Sequence, residues 1–334
     1  MRDPGRFARR RRMLLAAGAC LISPVPALHA RQEPDYPSRP IVLVVPNTPG
    51  SSVDTMSRRI SAPMSASLGQ PIVIENNAGS GGVIGVQQIL RAPRDGHTIG
   101  VVSNNFSISP YLYKLPYDPV RDIVPISILS SGPLVLTVNP GLPVDTLQEL
   151  LALARSRTGK TSLTFGSAGL GSVPHLAGAL LTTLSGVELL HVPYKGMSTY
   201  ITDLMSGQID IGFMPTAAAV PLVRRGSLRP IAVTAARRAA SFPDLPTIAE
   251  AGLPGYELDG SLAAIAAAGT PPAVMQRLNT AIVDAMHSPE VTQYANEQGT
   301  DIVGSTMEQA QRWFARDFEV YGKLAQRIGL NPAN

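Results

Sequence analysis

The stretch of residues 41–56 constrains the fold more than any other part of the sequence. Its first five residues, Ile41–Val45, are aliphatic, which is typical of a buried strand. A loop of Pro, Asn, Thr, Gly and Ser follows directly, and an amphipathic segment begins near Val53. In an open α/β sheet, ligands bind at such strand-to-helix turns, where free N–H groups at the helix N-terminus attract anions. This loop is therefore predicted to form one half of a binding site for a small acid.

A second strand–loop–helix unit repeats this arrangement later in the chain. Residues 163–165 predict a strand, residues 166–172 a loop rich in Gly and Ser, and the following residues a helix to about Leu184. Glycines in such a loop allow close approach of the backbone to a ligand. The alternation of strands and helices favours parallel pairing with right-handed crossovers. The sequence thus predicts an α/β protein in two halves, each with a mostly parallel sheet flanked by helices.

The N-terminal residues 1–30 have the pattern of an export signal. A basic region ends at Arg12, an apolar stretch runs over residues 13–22, and small residues lead to a predicted cleavage after Ala30. The apolar stretch is shorter than the roughly 20 residues that cross a bilayer. The Arg-Arg-Arg-Met-Leu sequence also resembles a twin-arginine signal, so both export routes stay open. Cys20, the one cysteine, lacks the Leu that a lipidation signal carries three residues earlier, so a lipid anchor is not expected.

The basic character of the chain, with a pI near 9.3, comes from this leader. Six of the 28 basic residues lie in the first 30 positions against one of the 24 acidic ones, so the remainder has 22 basic and 23 acidic residues. This near-neutral remainder argues against nucleic-acid binding. No Gly-x-Ser-x-Gly elbow and no His/Cys metal spacing occur, and the glycines from Gly79 to Gly85 lack the acid of a dinucleotide site. We therefore expect no enzyme activity, catalytic residue, cofactor or metal.

Several candidate site residues have two interpretations. Asp54 is either an acid favoured by the dipole in the first turn of a helix, or a carboxylate that orients the loop or recognises a ligand amino group. Ser167 and Ser172 are turn and cap residues or ligand contacts, and the neighbouring glycines favour ligand binding. His175 is equally compatible with a buried, hydrogen-bonded histidine and with a ligand contact.

A series of short motifs resembles one known family. They run in order through the chain: Pro40-Ile-Val-Leu-Val-Val-Pro, Gln70-Pro-Ile-Val-Ile-Glu-Asn76, Gly79-Ser-Gly-Gly82, Lys114-Leu-Pro-Tyr-Asp-Pro119, Ser167-Ala-Gly-Leu-Gly-Ser172, His191-Val-Pro-Tyr-Lys-Gly196, Asp244-Leu-Pro-Thr-Ile-Ala-Glu-Ala-Gly-Leu-Pro-Gly255 and Ala268-Gly-Thr-Pro271. Together they resemble the Bug family, the substrate-binding receptors of tripartite tricarboxylate transporters. The resemblance extends from about Pro40 to the C-terminus.

The resemblance implies a periplasmic binding protein of the type II-like, two-domain fold, with a cleft between the domains. Residues 36–138 plus 237–334 would form domain one, and residues 139–236 domain two. In this family, backbone amides and hydroxyls from one loop of each domain grip a ligand carboxylate. The ligand-binding residues that the resemblance implies are Asn47, Thr48, Pro49, Gly50, Ser51, Ser52, Asp54, Thr55, Ser103, Asn104, Asn105, Ser167, Ala168, Gly169, Gly171, Ser172, His175 and Thr216.

The first loop departs from the family pattern, because Asn47-Thr-Pro-Gly50-Ser51 replaces the usual Phe-x-Pro-Gly-Gly. Met214-Pro-Thr216 and the segment 260–264 also depart from it, which leaves the ligand open among dicarboxylates, acidic amino acids and aromatic monocarboxylates. The implied partners are this small organic acid and the membrane permease subunits of a transporter, and we expect a monomer. Two alternatives are a receptor that reports to a sensor protein and, less favoured, a secreted hydrolase with a divergent site.

Overall fold

The computed structural model describes residues 36–327 and 329–330. The predicted export signal at residues 1–30, including Cys20, lies outside the described residues. Within the described part of the chain, no helix combines the length and apolar character that crossing a membrane requires.

The described residues form ten strands and ten α-helices, joined in places by short 3₁₀ turns. The strands are β1 Ile41–Val45, β2 Ile72–Asn76, β3 Thr98–Ser103, β4 Ile123–Val138, β5 Leu163–Ser167, β6 Leu189–Pro193, β7 Ile211–Pro215, β8 Arg229–Val233, β9 Asp259–Ala267 and β10 Asp301–Ile302. The helices are α1 Ser52–Leu68, α2 Val83–Arg91, α3 Asn105–Ile108, α4 Leu147–Ser156, α5 Val173–Ser185, α6 Met197–Ser206, α7 Thr216–Arg224, α8 Pro272–Met286, α9 Pro289–Gln298 and α10 Met307–Arg327.

The first three strands form the parallel sheet that the sequence predicts. β1 lies between β2 and β3 and pairs with both in parallel, with Ile41 opposite Ile72 and Val42 opposite Thr98. The carboxyl ends of β1 and β3 therefore meet at one edge of the sheet, where the loop at Asn47 and the turn at Asn104 begin. β9 extends this sheet on the other side of β3, in the antiparallel direction.

β4 connects this sheet to the strands of the second unit. Its first part, to Pro133, pairs with β9, whereas its last part, from Leu134, pairs with β7 and β8. β5 then pairs in parallel with β7 and β6. The sequence predicted two separate strands here, at 126–129 and 134–138, but the structure has one continuous strand that changes partners between Pro133 and Leu134. The domain boundaries at 138/139 and 236/237 stay a prediction.

The helices begin and end where local sequence dictates. Met56, Ile60, Met64 and Leu68 lie four residues apart and are all buried, as their spacing predicts. Gly69 ends α1 in the left-handed conformation, at φ 71°. The predicted capping box of α4 is also present: the Thr146 hydroxyl accepts from the Glu149 amide, and the Glu149 carboxylate accepts from the Thr146 amide.

Candidate functional site

A cavity of about 240 Å³ lies at the carboxyl ends of β1 and β3. Three segments contribute most of its wall, namely the start of the first loop, the Gly-rich turn before α2, and the start of α3. Its lining consists of Pro46, Asn47, Thr48, Ala78, Gly79, Gly81, Gly82, Val86, Val102, Ser103, Asn105, Phe106, Ser109 and Tyr117. None of these side chains carries a formal charge at neutral pH. The cavity therefore offers hydroxyl, amide and backbone groups beside an apolar floor.

Asp54 holds the first loop in shape from within. Its side chain is 3% exposed, and its Oδ2 accepts a hydrogen bond from the Gly50 amide at 2.9 Å. Arg58 lies 3.0 Å from Oδ1, and its hydrogen bond and charge lower the pKa of Asp54 to about 2, with the Gly50 and Asn76 bonds contributing. Since both carboxylate oxygens are occupied inside the protein, the contacts favour the interpretation that Asp54 orients the loop.

Ser51 completes this arrangement as the N-cap of α1, because its hydroxyl accepts from the Asp54 amide at 3.2 Å. Ser51 thus satisfies one of the first amides of α1, and Asp54 satisfies the amide of Gly50 just before the helix. The residues predicted in this loop differ in their exposure to solvent. Asn47, Ser51 and Thr55 are partly buried, whereas Thr48, Pro49, Gly50 and Ser52 are exposed.

Asn76 is a residue of this site that the sequence did not single out. Its Nδ2 donates to the carbonyl of Asn47 at 3.2 Å and to Asp54 Oδ1 at 2.9 Å, and its Oδ1 accepts from Arg58 at 3.0 Å. The side chain thus ties the end of β2 to the start of the first loop. Its position at the end of both a strand and the Gln70–Asn76 motif is the sequence feature that could have indicated this role.

The turn before α2 supplies bare backbone to the cavity wall. Gly79, Gly81 and Gly82 all have positive φ angles, and Ser80 between them is the non-glycine residue with a positive φ (45°) among the described residues. A Cβ at Gly81 would lie 2.4 Å from the Tyr113 ring, so the close packing there requires glycine. The sequence predicted no dinucleotide site in this turn and assigned it no other role.

The turn after β3 divides its residues between two faces. Ser103 and Asn105 line the cavity. Asn104 is 5% exposed and faces away: its Nδ2 donates to the Asp259 carbonyl at 2.8 Å and to the Tyr321 hydroxyl at 2.5 Å. Phe106 and Tyr117 also line the cavity, and neither was among the predicted residues. Sequence reasoning missed them because aromatic residues outside a polar loop do not by themselves indicate a binding site.

The second loop is held by neutral hydrogen bonds. Ser167 is fully buried, and its Oγ lies 2.7 Å from Nε2 of His191 and 3.1 Å from the Gly169 carbonyl and amide. The Ser172 hydroxyl donates to the same carbonyl at 2.7 Å. Ala168 and Ser172 are partly buried, and α5 begins at Val173 with no side-chain hydrogen bond to its first amides. These amides are the groups of the second loop that suit an anion.

His175 supports the loop from α5. Its Nδ1 accepts from the Gly171 amide at 3.1 Å, so the ring is neutral with its proton on Nε2. Burial, aided by the neighbouring His191, lowers the pKa of His175 to about 4, and burial also lowers the pKa of His191. The two rings lie 4.3 Å apart between centroids. The contacts match the interpretation of His175 as a buried, hydrogen-bonded histidine.

The segment after α3 lies between the two loops. A Cβ at Gly171 would lie 2.0 Å from Cδ1 of Leu112, and the neighbouring Tyr113 packs on Gly81. The second loop therefore contacts the segment that borders the cavity, and Leu170 at its tip is 64% exposed.

Thr216 lies away from the cavity. It is 1% exposed, its hydroxyl donates to the carbonyls of Gln298 and Gly299 at 3.0 and 2.8 Å, and it does not line the cavity.

The described part of the chain contains no cluster of three or more His, Cys, Asp or Glu residues that suits a metal ion. The arrangement at the cavity is one of hydrogen-bond donors and apolar surface. Such a site binds and orients a small polar molecule.

Comparison with known proteins identifies the family of the chain. The family model described as "Tripartite tricarboxylate transporter family receptor" matches residues 56–330. A UPF0065 protein from the tcbD–tcbE intergenic region of Pseudomonas sp. (strain P51) is 39% identical over 324 residues, covering 96% of this chain and 95% of that protein. Protein BugT of Bordetella pertussis is 34% identical over 299 residues, covering 88% and 90%.

The fold is similar to that of a solved structure, R. palustris Rpa4515 with adipate. That structure has a TM-score of 0.77 and 34% sequence identity, and the match covers 90% of this chain and 100% of that chain. The related proteins are periplasmic substrate-binding receptors and not enzymes. This chain therefore belongs to the family of tripartite tricarboxylate transporter receptors.

Proposed function

We propose that this protein is a periplasmic receptor that binds a small organic carboxylate and delivers it to the membrane permease of a tripartite tricarboxylate-type transporter. The observation that carries the proposal is the cavity at the ends of β1 and β3, with its uncharged donors. The family match and the similar structure solved with adipate support it. The identity of the acid is a finer question, which a ligand screen addresses.

Neutral donors suffice to hold a carboxylate in this cavity. An ionised carboxylate accepts up to about four hydrogen bonds, and each such bond from a neutral donor contributes about 1.5–3 kcal/mol. Among the lining residues, Thr48, Ser103 and Tyr117 carry hydroxyls, and Asn47 and Asn105 carry amides. Burial raises the pKa of Tyr117 to about 12, so its hydroxyl keeps its proton and remains a donor at neutral pH.

The acid of the first loop does not oppose an anionic ligand. An unpaired carboxylate a few ångströms from the cavity would repel a bound acid. Arg58 neutralises Asp54 at 3.0 Å, and the Gly50 amide and Asn76 occupy its oxygens. The negative charge of Asp54 thus holds the loop in shape, and the positive charge of Arg58 largely cancels its repulsion of an anion in the cavity.

In this proposal, the second loop forms the opposite side of the binding cleft. Residues 36–138 plus 237–334 and residues 139–236 close over the ligand, and the free amides at the start of α5 meet the carboxylate. Two observations support this closure. β4 passes from one set of strands to the other, and the second loop already contacts Leu112 beside the cavity. Such closure is a common response of two-domain receptors to ligand.

The proposal is tested by finding an acid that binds. Native mass spectrometry of the purified protein shows which acid co-purifies. A thermal-shift panel of adipate, malate, aspartate, nicotinate and benzoate, with glucose and zinc as non-carboxylates, then ranks the candidates. A ligand at 100 times its Kd stabilises the folded state by about 2.7 kcal/mol, which is a clear shift in melting temperature. Stabilisation by glucose or zinc but by none of the acids would refute the proposal.

A variant pair locates the site. Asn105→Ala removes an amide that lines the cavity and should weaken binding of the best acid by about 0.5–2 kcal/mol in calorimetry. Asn296→Ala is the matched control, because that side chain is exposed on α9. Equal affinities of the two variants would place the ligand outside this cavity.

A further inference from the structure

Helix α10 supports the wall of the cavity from behind. The Phe106 ring, which lines the cavity, lies 5.8 Å from the Phe314 ring and 5.9 Å from the Phe318 ring, between centroids. Asn104, beside it, donates to the Tyr321 hydroxyl at 2.5 Å. Residues 104–106 are thus fixed by three side chains of α10, so any displacement of α10 reaches the cavity.

A buried acid lies among these three contacts. Asp317 is 7% exposed and sits between Phe314, Phe318 and Tyr321 along α10. Its counter-charge is weak: Arg316 lies 3.7 Å away, is about half exposed, and makes its shorter contact, 2.8 Å, with Glu257. A carboxylate buried with so little compensation is costly to ionise.

A second carboxylate faces the same region from β9. Asp259 begins that strand, and its Oδ2 accepts from the Ser131 hydroxyl at 3.3 Å. Its Oδ1 and the Oδ1 of Asn104 are buried, and neither has a hydrogen-bond partner among the described residues. Asp259, Asp317 and Tyr321 all border one small cavity of about 140 Å³. Two buried acceptor oxygens in this region thus lack a donor, and one added proton supplies one.

The charged groups that act on Asp317 are Arg316 on α10 and Asp259 at the start of β9. Asp259 in turn is influenced by Glu257, two residues earlier, and by Asp301 on β10, which is paired with Arg237 at 3.1 Å. Burial, aided by the Asp259 charge, raises the pKa of Asp317 to about 7, against the pull of Arg316 and Trp313. Burial also raises the pKa of Asp259. Two such neighbours do not ionise independently.

We propose that Asp317 is a positioning residue whose proton sets the affinity of the receptor for its ligand. In the protonated state, Asp317 and Asp259 share a hydrogen-bonding proton and α10 holds residues 104–106 in place. Ionisation of Asp317 puts two carboxylates against each other and loosens α10 from β9. The cavity wall then moves with Asn104 and Phe106, and binding weakens. The ligand part of this inference rests on the proposed function, and the proton site does not.

The sign of the effect follows from linkage. Because the folded-state pKa of Asp317 lies above the usual 3.8, the folded protein binds more protons than the unfolded chain between about pH 4 and 7. This group therefore favours folding most at low pH and its contribution is lost as the pH rises through about 7. A carboxylate ligand stays ionised from pH 6 to 8.5, so its own titration does not produce a change in affinity over that range.

The test uses Asp317→Asn, which keeps the shape of the side chain and removes its titration, and Asp284→Asn as a matched control on an exposed face of α8. Trp313, the one tryptophan of the chain, lies one turn before Asp317 and reports on it by fluorescence. We expect a fluorescence change centred near pH 7 in the wild type and the control, and none in Asp317→Asn. A retained transition in Asp317→Asn would overturn the proton site.

Ligand affinity supplies the second readout. Calorimetry with the acid that gives the largest shift in the panel should show at least about fivefold weaker binding at pH 8.5 than at pH 6 in the wild type and Asp284→Asn. Asp317→Asn should bind with the same affinity at both pH values. If Asp317→Asn keeps the pH dependence, the positioning role is wrong. If no acid in the panel binds, the proposed function and the positioning role fail together, and fluorescence still decides the proton site.

Discussion

Removal of the charge on Asp54 is the sharpest test of how the first loop is built. Asp54→Asn keeps the side-chain size but removes the negative charge that pairs with Arg58. The new amide group also places an N–H donor where the Gly50 amide or the Arg58 guanidinium needs a hydrogen-bond acceptor. The pKa of about 2, against 3.8 for a free carboxyl, corresponds to about 2.4 kcal/mol of stabilisation by the folded state. Since Arg58 is half exposed, solvent screening reduces this to about 1–2.4 kcal/mol.

The stabilisation has a defined pH window. A lowered folded-state pKa gives stability that is fully present above pH 3.8 and is lost as the pH falls towards about 2. Urea unfolding at pH 7 should therefore show Asp54→Asn to be less stable than the wild type by about 1–2.4 kcal/mol, and the difference should shrink below pH 4. Asp284→Asn, exposed on α8, is the control and should unfold like the wild type.

The same variant separates loop organisation from ligand contact. If Asp54 shapes the loop, Asp54→Asn should weaken binding of a carboxylate, because the lost network moves Asn47 at the cavity. If Asp54 instead faced the ligand directly, removal of its negative charge would strengthen the binding of an acid that has no amino group, such as adipate. Unchanged stability together with tighter binding would therefore refute the role of Asp54 as the residue that orients the first loop.

The remaining predictions concern the second loop. Ser172→Ala should weaken ligand binding by about 0.5–2 kcal/mol in calorimetry, whereas Ser167→Ala should also lower stability in urea unfolding, because its buried hydroxyl bonds with His191; equal stability of the two variants would contradict the assigned contacts. His175, with a pKa lowered to about 4 and an ordinary value of 6.5, gives stability that is present above pH 6.5 and is lost as the pH falls towards 4. His175→Asn, which retains an acceptor for the Gly171 amide, should show a flatter decline in melting temperature between pH 6.5 and 4; an unchanged decline would show that His175 is not the group responsible.

The parts of the fold that follow from local sequence could be predicted. The apolar spacing of α1, its end at Gly69 and the capping box at Thr146 all depend on residues close in the chain. The parallel pairing of β1 with β2 and β3 follows from the alternation of strands and helices. That polar loops follow the ends of β1 and β3 was predictable for the same reason. A strand end that turns into a helix is visible in the sequence itself.

What could not be predicted depends on contacts distant in sequence. β9 was missed because Asp259–Ala267 is mostly Ala and Gly, which have low strand propensity, and its strand state is imposed by β3 and β4 on either side. Asn104 was predicted to contact ligand, but its amide is directed to Asp259 and Tyr321, more than 150 residues later. No local pattern indicates on which side of a turn a side chain lies.

β9 connects the C-terminal third of the chain to the strands that border the cavity. It lies between β3, which ends at the cavity, and β4, which continues into the second set of strands. Its first residue, Asp259, accepts from Asn104 through its carbonyl and faces α10 through its carboxylate. The turn that borders the cavity, strand β9 and helix α10 thus meet at Asp259. We therefore expect a change of charge beside Asp259, such as the ionisation of Asp317, to act on the cavity wall and on the junction between the two sets of strands.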